Sequence, residues 1–96
     1  NINNIKKTNK TFQNQSLNKF KIVVGTFKYK NNAEKQIRII NKNYPKTTND
    51  KKGKVVKIRK DNGYLYETRF QFFSRKEAIT ACNRLKKYNR DCFIRD

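Results

Sequence analysis

Cations are the side chains with the most evident chemistry in this sequence. Of its 96 residues, 25 are Lys or Arg and seven are Asp or Glu, which gives a formal net charge of +18 in a chain without His. A charge of this size attracts polyanions and binds them in a strongly salt-dependent way. Nucleic acid, anionic lipid and anionic cell wall are the candidate partners, and the plainer interpretation is that much of the lysine is solvated surface.

The chain offers little for catalysis or for metal binding. Its carboxylates are scattered over predicted turns, helix caps and one strand, so that no nucleophile-base pair or carboxylate pair is visible. They are Glu34, Asp50, Asp61, Glu67, Glu77, Asp91 and Asp96. Two Cys without any His do not supply the four ligands of a zinc site. We predict a non-catalytic module without metal or cofactor. Because the chain has no Met, we expect it to be a piece of a longer protein, which could be an enzyme.

Hydrophobic alternation predicts the scaffold that positions the cations. Residues 1–19 are rich in Asn, Lys and Thr and are predicted to form a disordered linker or tail. The remaining residues, 20–96, are enough for one small domain. They begin with Phe20, Ile22 and Val24, which alternate with Lys21 and Val23 as in a half-buried strand.

A helix and a second strand follow. Asn31 or Asn32 is a candidate N-cap for a helix whose buried positions include Ala33, Ile37 and Ile40, and Tyr44-Pro45 ends it. After a polar loop over residues 46–54, Val56 and Ile58 alternate with Lys57 and Arg59. This alternation predicts a strand that turns its lysine and arginine away from the core.

The second half repeats the pattern. Asp61-Asn62-Gly63 favours a tight hairpin, and the strand from Tyr64 to Phe72 turns Tyr64, Tyr66, Thr68 and Phe70 towards the core. Ser74 and Glu77 have capping-box spacing at the start of a second helix. A short last strand covers residues 92–94. The predicted fold is therefore α+β, a ferredoxin-like or RNP-like β-α-β-β-α-β domain, with a four-stranded antiparallel sheet, both helices on one face and the other face open.

Two similar βα halves can be aligned within the chain. Ile22-Val23-Val24-Gly25-Thr26-Phe27 with Asn32-Ala33-Glu34 corresponds to Phe70-Gln71-Phe72-Phe73-Ser74-Arg75 with Glu77-Ala78. Both halves, and the ending from Ala81 to Ile94 with its cysteine pair, resemble the SPOR family of peptidoglycan-binding domains over about residues 20–95. Two positions depart from the family pattern: Val23 stands where a glutamine is common, and Gln71 stands where a glycine is common.

The resemblance implies binding of glycan strands that have lost their stem peptides, as found at bacterial division septa. It also implies a periplasmic or cell-envelope location, and we expect a monomer. A stripped strand keeps a lactyl carboxylate on each muramic acid, and cations on the open sheet face could pair with this row of charges. The candidate glycan-binding residues are Lys21, Val23, Thr26, Phe27, Lys28, Lys57, Arg59, Arg69 and Gln71. The alternative for these residues is a solvated sheet face.

Cys82 and Cys92 lie on the second helix and at the start of the last strand, where the chain must fold back beside its helix. A disulfide is expected if the domain is in an oxidising periplasm, and two buried free thiols if it is cytosolic.

The same element order is found in RRM-type RNA-binding domains. Gly63-Tyr64-Leu65-Tyr66 is similar to their glycine-aromatic motif on the third strand. Stacking on RNA requires these aromatics on the open face, whereas the alternation turns Tyr64 and Tyr66 towards the core. Single-stranded RNA binding is therefore the alternative function.

Overall fold

The computed structural model describes residues 18–48 and 51–96. Its element order and antiparallel sheet confirm the predicted fold, and the strands lie in the order β2-β3-β1-β4. The elements are β1 (Phe20–Phe27), α1 (Lys30–Asn43), α2 (Pro45–Thr48), β2 (Gly53–Lys60), β3 (Gly63–Phe73), α3 (Arg75–Lys87) and β4 (Phe93–Arg95). The short α2 lies where a loop was predicted. The predicted tail falls outside the described residues up to residue 17, as does Asp50.

A single core fills the space between the helices and one face of the sheet. Alternate residues of β1 and β3 meet the apolar stripes of α1 and α3, because strand side chains alternate between faces while helix stripes repeat every three to four residues. The core contains Ile22, Val24, Ile40, Phe70, Phe73, Ala78, Ala81, Cys82, Leu85 and Cys92. Both helices therefore cover the same face and leave the other one to the candidate site.

The two long helices start differently. Ser74 caps α3 through a capping box, in which the Glu77 N–H donates to Ser74 Oγ (3.1 Å) and the Ser74 N–H donates to Glu77 Oε1 (2.9 Å). The bond from the Ser74 backbone lowers the pKa of Glu77. In contrast, α1 begins at Lys30 after Tyr29, which makes no side-chain cap, so the predicted cap at Asn31 or Asn32 is wrong.

Two polar side chains fasten α1 to the sheet. Thr68 Oγ1 donates to the Ala33 carbonyl (2.7 Å), and Gln36 Nε2 donates to the Val24 carbonyl (3.1 Å). Thr68 is fully buried, so this bond satisfies a group that would otherwise be costly to remove from water. These bonds fix the position of α1 relative to β1 and β3.

An irregularity in β1 shapes the end of the sheet. The register with β3 shifts between Val23 and Gly25, so that Val24 and Gly25 both face the helices and Thr26 returns to the open face. A Cβ on Gly25 would lie 2.6 Å from the Phe27 ring, so a larger residue there would displace that ring. Among the described residues, no helix is long and apolar enough to span a membrane.

Candidate functional site

The register of the β2-β3 hairpin decides which cations reach the open face. A two-residue turn at Asp61 and Asn62 pairs Lys60 with Gly63, and therefore Lys57 with Tyr66 and Arg59 with Tyr64. Residues that are paired across antiparallel strands share a face. Lys57 and Arg59 consequently lie on the helix side, and Lys57 Nζ sits 4.2 Å from the centre of the Tyr64 ring. The prediction that they join Arg69 on the open face is wrong.

The open face of β2 is apolar at its centre and carries one lysine towards each end, Lys54 opposite Arg69 and Lys60 opposite Gly63. Val56 and Ile58 lie opposite Glu67 and Leu65, and the three hydrophobic side chains are half-buried. The prediction that Val56 and Ile58 face the core is therefore wrong. Charge on the open face of β2 is therefore limited to Lys54 and Lys60, both of which are exposed.

Three charged side chains form a network over β3, β1 and β4. Glu67 Oε1 accepts from Nε (2.8 Å) and Nη2 (2.6 Å) of Arg69, and also from Nε of Arg95 (3.0 Å). Glu67 Oε2 accepts from Nη2 of Arg95 (2.5 Å). Bonds between guanidinium and carboxylate groups are among the strongest in proteins and fix the planes of both groups. The network therefore holds two guanidinium groups in a defined arrangement.

The network crosses β1. Since β1 lies between β3 and β4, the Arg95 side chain passes over it, and Val23, the residue of β1 that faces outwards there, is fully buried. Val23 pairs with Arg69 on one side and with Phe93 on the other, while Lys21 pairs with Arg95. Val23 thus supports the network from below rather than contacting a ligand.

Electrostatics keep Glu67 ionised. Burial alone raises the pKa of Glu67, but the hydrogen bonds and charges of Arg95 and Arg69 outweigh burial and hold its pKa below the usual value. The three side chains therefore carry a net charge of about +1 at neutral pH. Lys21, whose Nζ donates to the Asp96 carbonyl (3.3 Å), adds a further cation to the same face.

The two arginines differ in how much of each remains available to a ligand. The side chain of Arg69 is 16% exposed, whereas that of Arg95 is 42% exposed. Arg95 also lies over the ring of Phe93, 5.0 Å from its centre, and Phe93 is itself exposed. Arg95 and Phe93 are thus the accessible part of the site, and neither was predicted. Their orientation follows from strand alternation. Ile94 packs against the core, so its neighbours Phe93 and Arg95 face the other way.

The remaining predicted residues lie around this centre. Thr26 is exposed opposite Glu67, Lys28 is exposed after the end of β1, and Gln71 lies half-buried beside an irregularity of β3 at Phe72. Phe27 pairs with Tyr66 and turns its ring beneath Gly25, which places it on the helix side. The open face therefore brings together Lys21, Val23, Thr26 and Arg69. Phe27, Lys57 and Arg59 lie on the helix side instead.

A shallow groove adjoins the network at the edge of the sheet. It has a volume of about 370 Å³ and lies between the end of β1 and the start of β4. Its lining residues are Val23, Gly25, Thr26, Lys86, Arg90, Asp91, Cys92 and Phe93. The groove gives a ring-sized ligand a place beside Phe93 and Arg95.

A disulfide fixes the strand that carries these two residues. Cys82 on α3 is bonded to Cys92 immediately before β4, which confirms the expected disulfide. β4 is only three residues long and pairs with β1 at three positions. The cross-link closes a short loop and is worth about 2–3 kcal/mol in the chain-entropy model. It therefore positions Arg95 and Phe93 as well as stabilising the fold.

Comparison with known proteins identifies one family. The family model described as SPOR domain matches residues 16–96, which is most of the chain. No curated protein and no solved structure matches the chain.

Proposed function

Because the chain belongs to the SPOR domain family, whose members are non-catalytic peptidoglycan-binding modules of the bacterial envelope, we propose that its open sheet face binds glycan strands lacking stem peptides. The observation that carries this proposal is the network of Arg69, Glu67 and Arg95, with Lys21 beside it. The network presents fixed cationic donors on an exposed face, as recognition of a carboxylate requires.

Charge is the basis of the proposed selectivity. In an intact strand the lactyl group of each muramic acid is amide-bonded to a stem peptide and carries no charge there. Removal of the peptide exposes a carboxylate, and Arg95 has unused N–H donors on its exposed side. Because Glu67 already offsets one guanidinium, the network retains about one net positive charge, to which Lys21 adds a second cation.

Shape supports the same ligand. A sugar ring has an apolar face, and Phe93 is an exposed aromatic beside the groove at the end of β1. Thr26 and Gln71 have polar side chains that can bond sugar hydroxyls at the borders of the face.

The proposed consequence is targeting to the division septum. Strands without stem peptides arise where amidases process the wall during division, so a module that prefers them would concentrate its parent protein there. The parent could be a cell-wall or division protein.

Co-sedimentation with cell-wall sacculi tests this function. The domain is incubated with intact sacculi and with amidase-treated sacculi over a salt series. We expect more protein to be retained on the treated sacculi, with the difference persisting at about 0.15 M salt, where long-range charge is screened. Equal retention on both preparations would contradict the proposal.

Single-stranded RNA is the competing ligand in the same experiment. Tyr64 and Tyr66, the aromatics that an RRM-like site would use, pair with Arg59 and Lys57 on the helix side. We therefore expect RNA to compete weakly and to lose its binding as salt rises. Tighter binding to RNA than to treated sacculi would favour the alternative function.

A further inference from the structure

The helix layer carries far more positive than negative charge. Helices α1, α2 and α3 contain ten Lys and Arg against two carboxylates, Glu34 and Glu77. All ten cations are exposed: Lys30, Lys35, Arg38, Lys42, Lys46, Arg75, Lys76, Arg84, Lys86 and Lys87. Within residues 18–48 and 51–96 none of them forms an ion pair, and Glu77 is already bonded to Ser74 and paired with Lys51. This face is opposite the proposed glycan site.

Two adjoining depressions lie between α2 and α3. Their volumes are about 260 and 560 Å³, and they share Lys46, Thr47 and Arg84. Lys76 borders the smaller one and Lys87 the larger one. Each is open to solvent and lined by three cations, and Glu77 also lines the smaller one. The excess of positive charge suits a phosphodiester head group that reaches the protein from a larger assembly.

Aromatic side chains border the larger depression. The rings of Tyr44 and Tyr88 lie 5.3 Å apart, and Arg90 Nε donates to the Tyr44 hydroxyl (3.3 Å). Tyr88 is 64% exposed. Tyrosine beside lysine and arginine is typical of surfaces at the membrane-water interface, because the ring packs among acyl chains and head groups while the hydroxyl stays hydrated.

We infer that the helix layer docks on the anionic phospholipid surface of a membrane. The cations extend along α1 as well as around the depressions, so they cover an area, as a charged bilayer does, rather than follow a line, as a single polymer strand would. The Cys82–Cys92 disulfide favours a compartment outside the reducing cytosol. In such a compartment the membrane surface is the polyanion that is always present, whereas nucleic acid is not. This inference does not depend on glycan binding at the opposite face.

Vesicle co-sedimentation tests the inference. The domain is mixed with phosphatidylcholine vesicles containing about 30% phosphatidylglycerol, and with pure phosphatidylcholine vesicles, at about 0.1 M salt. We expect binding to the anionic vesicles only. The double variant Arg84→Gln/Lys87→Gln should bind about tenfold to thirtyfold more weakly, which corresponds to roughly 1 kcal/mol for each removed charge. The matched control Lys54→Gln/Lys60→Gln removes two exposed cations from the open face of β2 and should bind as the parent does.

A fluorescent reporter identifies the face that contacts lipid. The chain has no Trp, so each of the variants Tyr88→Trp and Phe93→Trp contains a single fluorescent tryptophan. The first places it on the helix layer and the second on the open sheet face. Anionic vesicles should shift the emission of Tyr88→Trp to shorter wavelength and leave Phe93→Trp unchanged. The inference is overturned by equal loss of binding in both double variants, by a shift only in Phe93→Trp, by absence of binding to anionic vesicles, or by a single-stranded DNA oligonucleotide that binds more tightly than the vesicles.

Discussion

Arg95 reaches across a whole strand to Glu67. The two residues lie on β4 and β3, which are separated by β1, and their guanidinium and carboxylate groups form two hydrogen bonds above Val23. This relationship couples the shortest strand of the sheet to its longest one. It also makes the exposed side of Arg95, rather than the more enclosed Arg69, the principal candidate for contact with a glycan carboxylate.

Loss of the Arg95 charge is expected to weaken glycan binding. Arg95→Gln removes charge-assisted bonds to the ligand, each worth about 1.5–3 kcal/mol, so binding to glycan without stem peptides should fall about tenfold or more. Lys57→Gln is the matched control, since it also removes one exposed cation but on the helix side. Affinity is measured by co-sedimentation with amidase-treated sacculi, and an equal loss in both variants would show that net charge alone drives binding.

Glu67 is expected to stabilise the fold in a pH-dependent way. Glu67→Gln leaves two guanidinium groups without a counterion and should cost roughly 1–3 kcal/mol of unfolding free energy at pH 7. Because the pKa of Glu67 is lower in the folded than in the unfolded state, its contribution is complete above the unfolded pKa and is lost as pH falls through the folded pKa.

Urea unfolding between neutral and acidic pH measures this effect. The difference in stability between the parent and Glu67→Gln should be largest near pH 7 and should shrink as the medium becomes acidic. Glu34→Gln, a change on α1 outside the network, serves as the control. A difference that stays constant with pH would contradict the assigned role of Glu67.

Removal of the disulfide is expected to affect stability and glycan binding together. The double variant Cys82→Ser/Cys92→Ser should lose about 2–3 kcal/mol of unfolding free energy. It should also bind glycan more weakly at a temperature where it remains folded, because β4 carries Arg95 and Phe93. Circular dichroism monitors folding, and unchanged affinity in the folded variant would show that β4 is positioned without the cross-link.

The helix cap provides a change that separates stability from binding. Ser74→Ala removes the hydrogen bond that the Glu77 N–H donates to Ser74 Oγ, the side-chain cap of α3, and should cost about 1 kcal/mol. Thr80→Ala on an exposed turn of the same helix should have little effect on stability. Glycan affinity of both variants should equal that of the parent, since neither residue is near the open face.

Sequence patterns predicted the elements and the core because these depend on local alternation. The faces of β1 and β3 and the capping box at Ser74 were confirmed. The predicted orientation of β2 was wrong. Val56 and Ile58 alternate with polar residues as in a strand that faces the core, but the two-residue hairpin pairs Lys60 with Gly63 and turns these two residues to the open face. Register thus overrode hydrophobicity, and the half-buried apolar strip on the open face is the result.

The charged network was not predictable from local pattern. Glu67 and Arg95 are 28 residues apart, and a pair that spans an intervening strand has no signature in spacing. Arg69 was identified as outward-facing, but its partner could not be. The close approach of the Phe27 ring to Gly25 was likewise not predictable, because only the folded chain brings the ring there.

The most direct test of the central claim is to neutralise the carboxylates of the ligand itself. Soluble glycan strands without stem peptides are compared before and after their lactyl carboxylates are activated with a carbodiimide and amidated with ammonia, by titration with the parent and with Arg95→Gln. We expect amidation to weaken binding of the parent about tenfold or more and to change the binding of Arg95→Gln far less. Equal affinity of the parent for both forms of the strand would contradict the account.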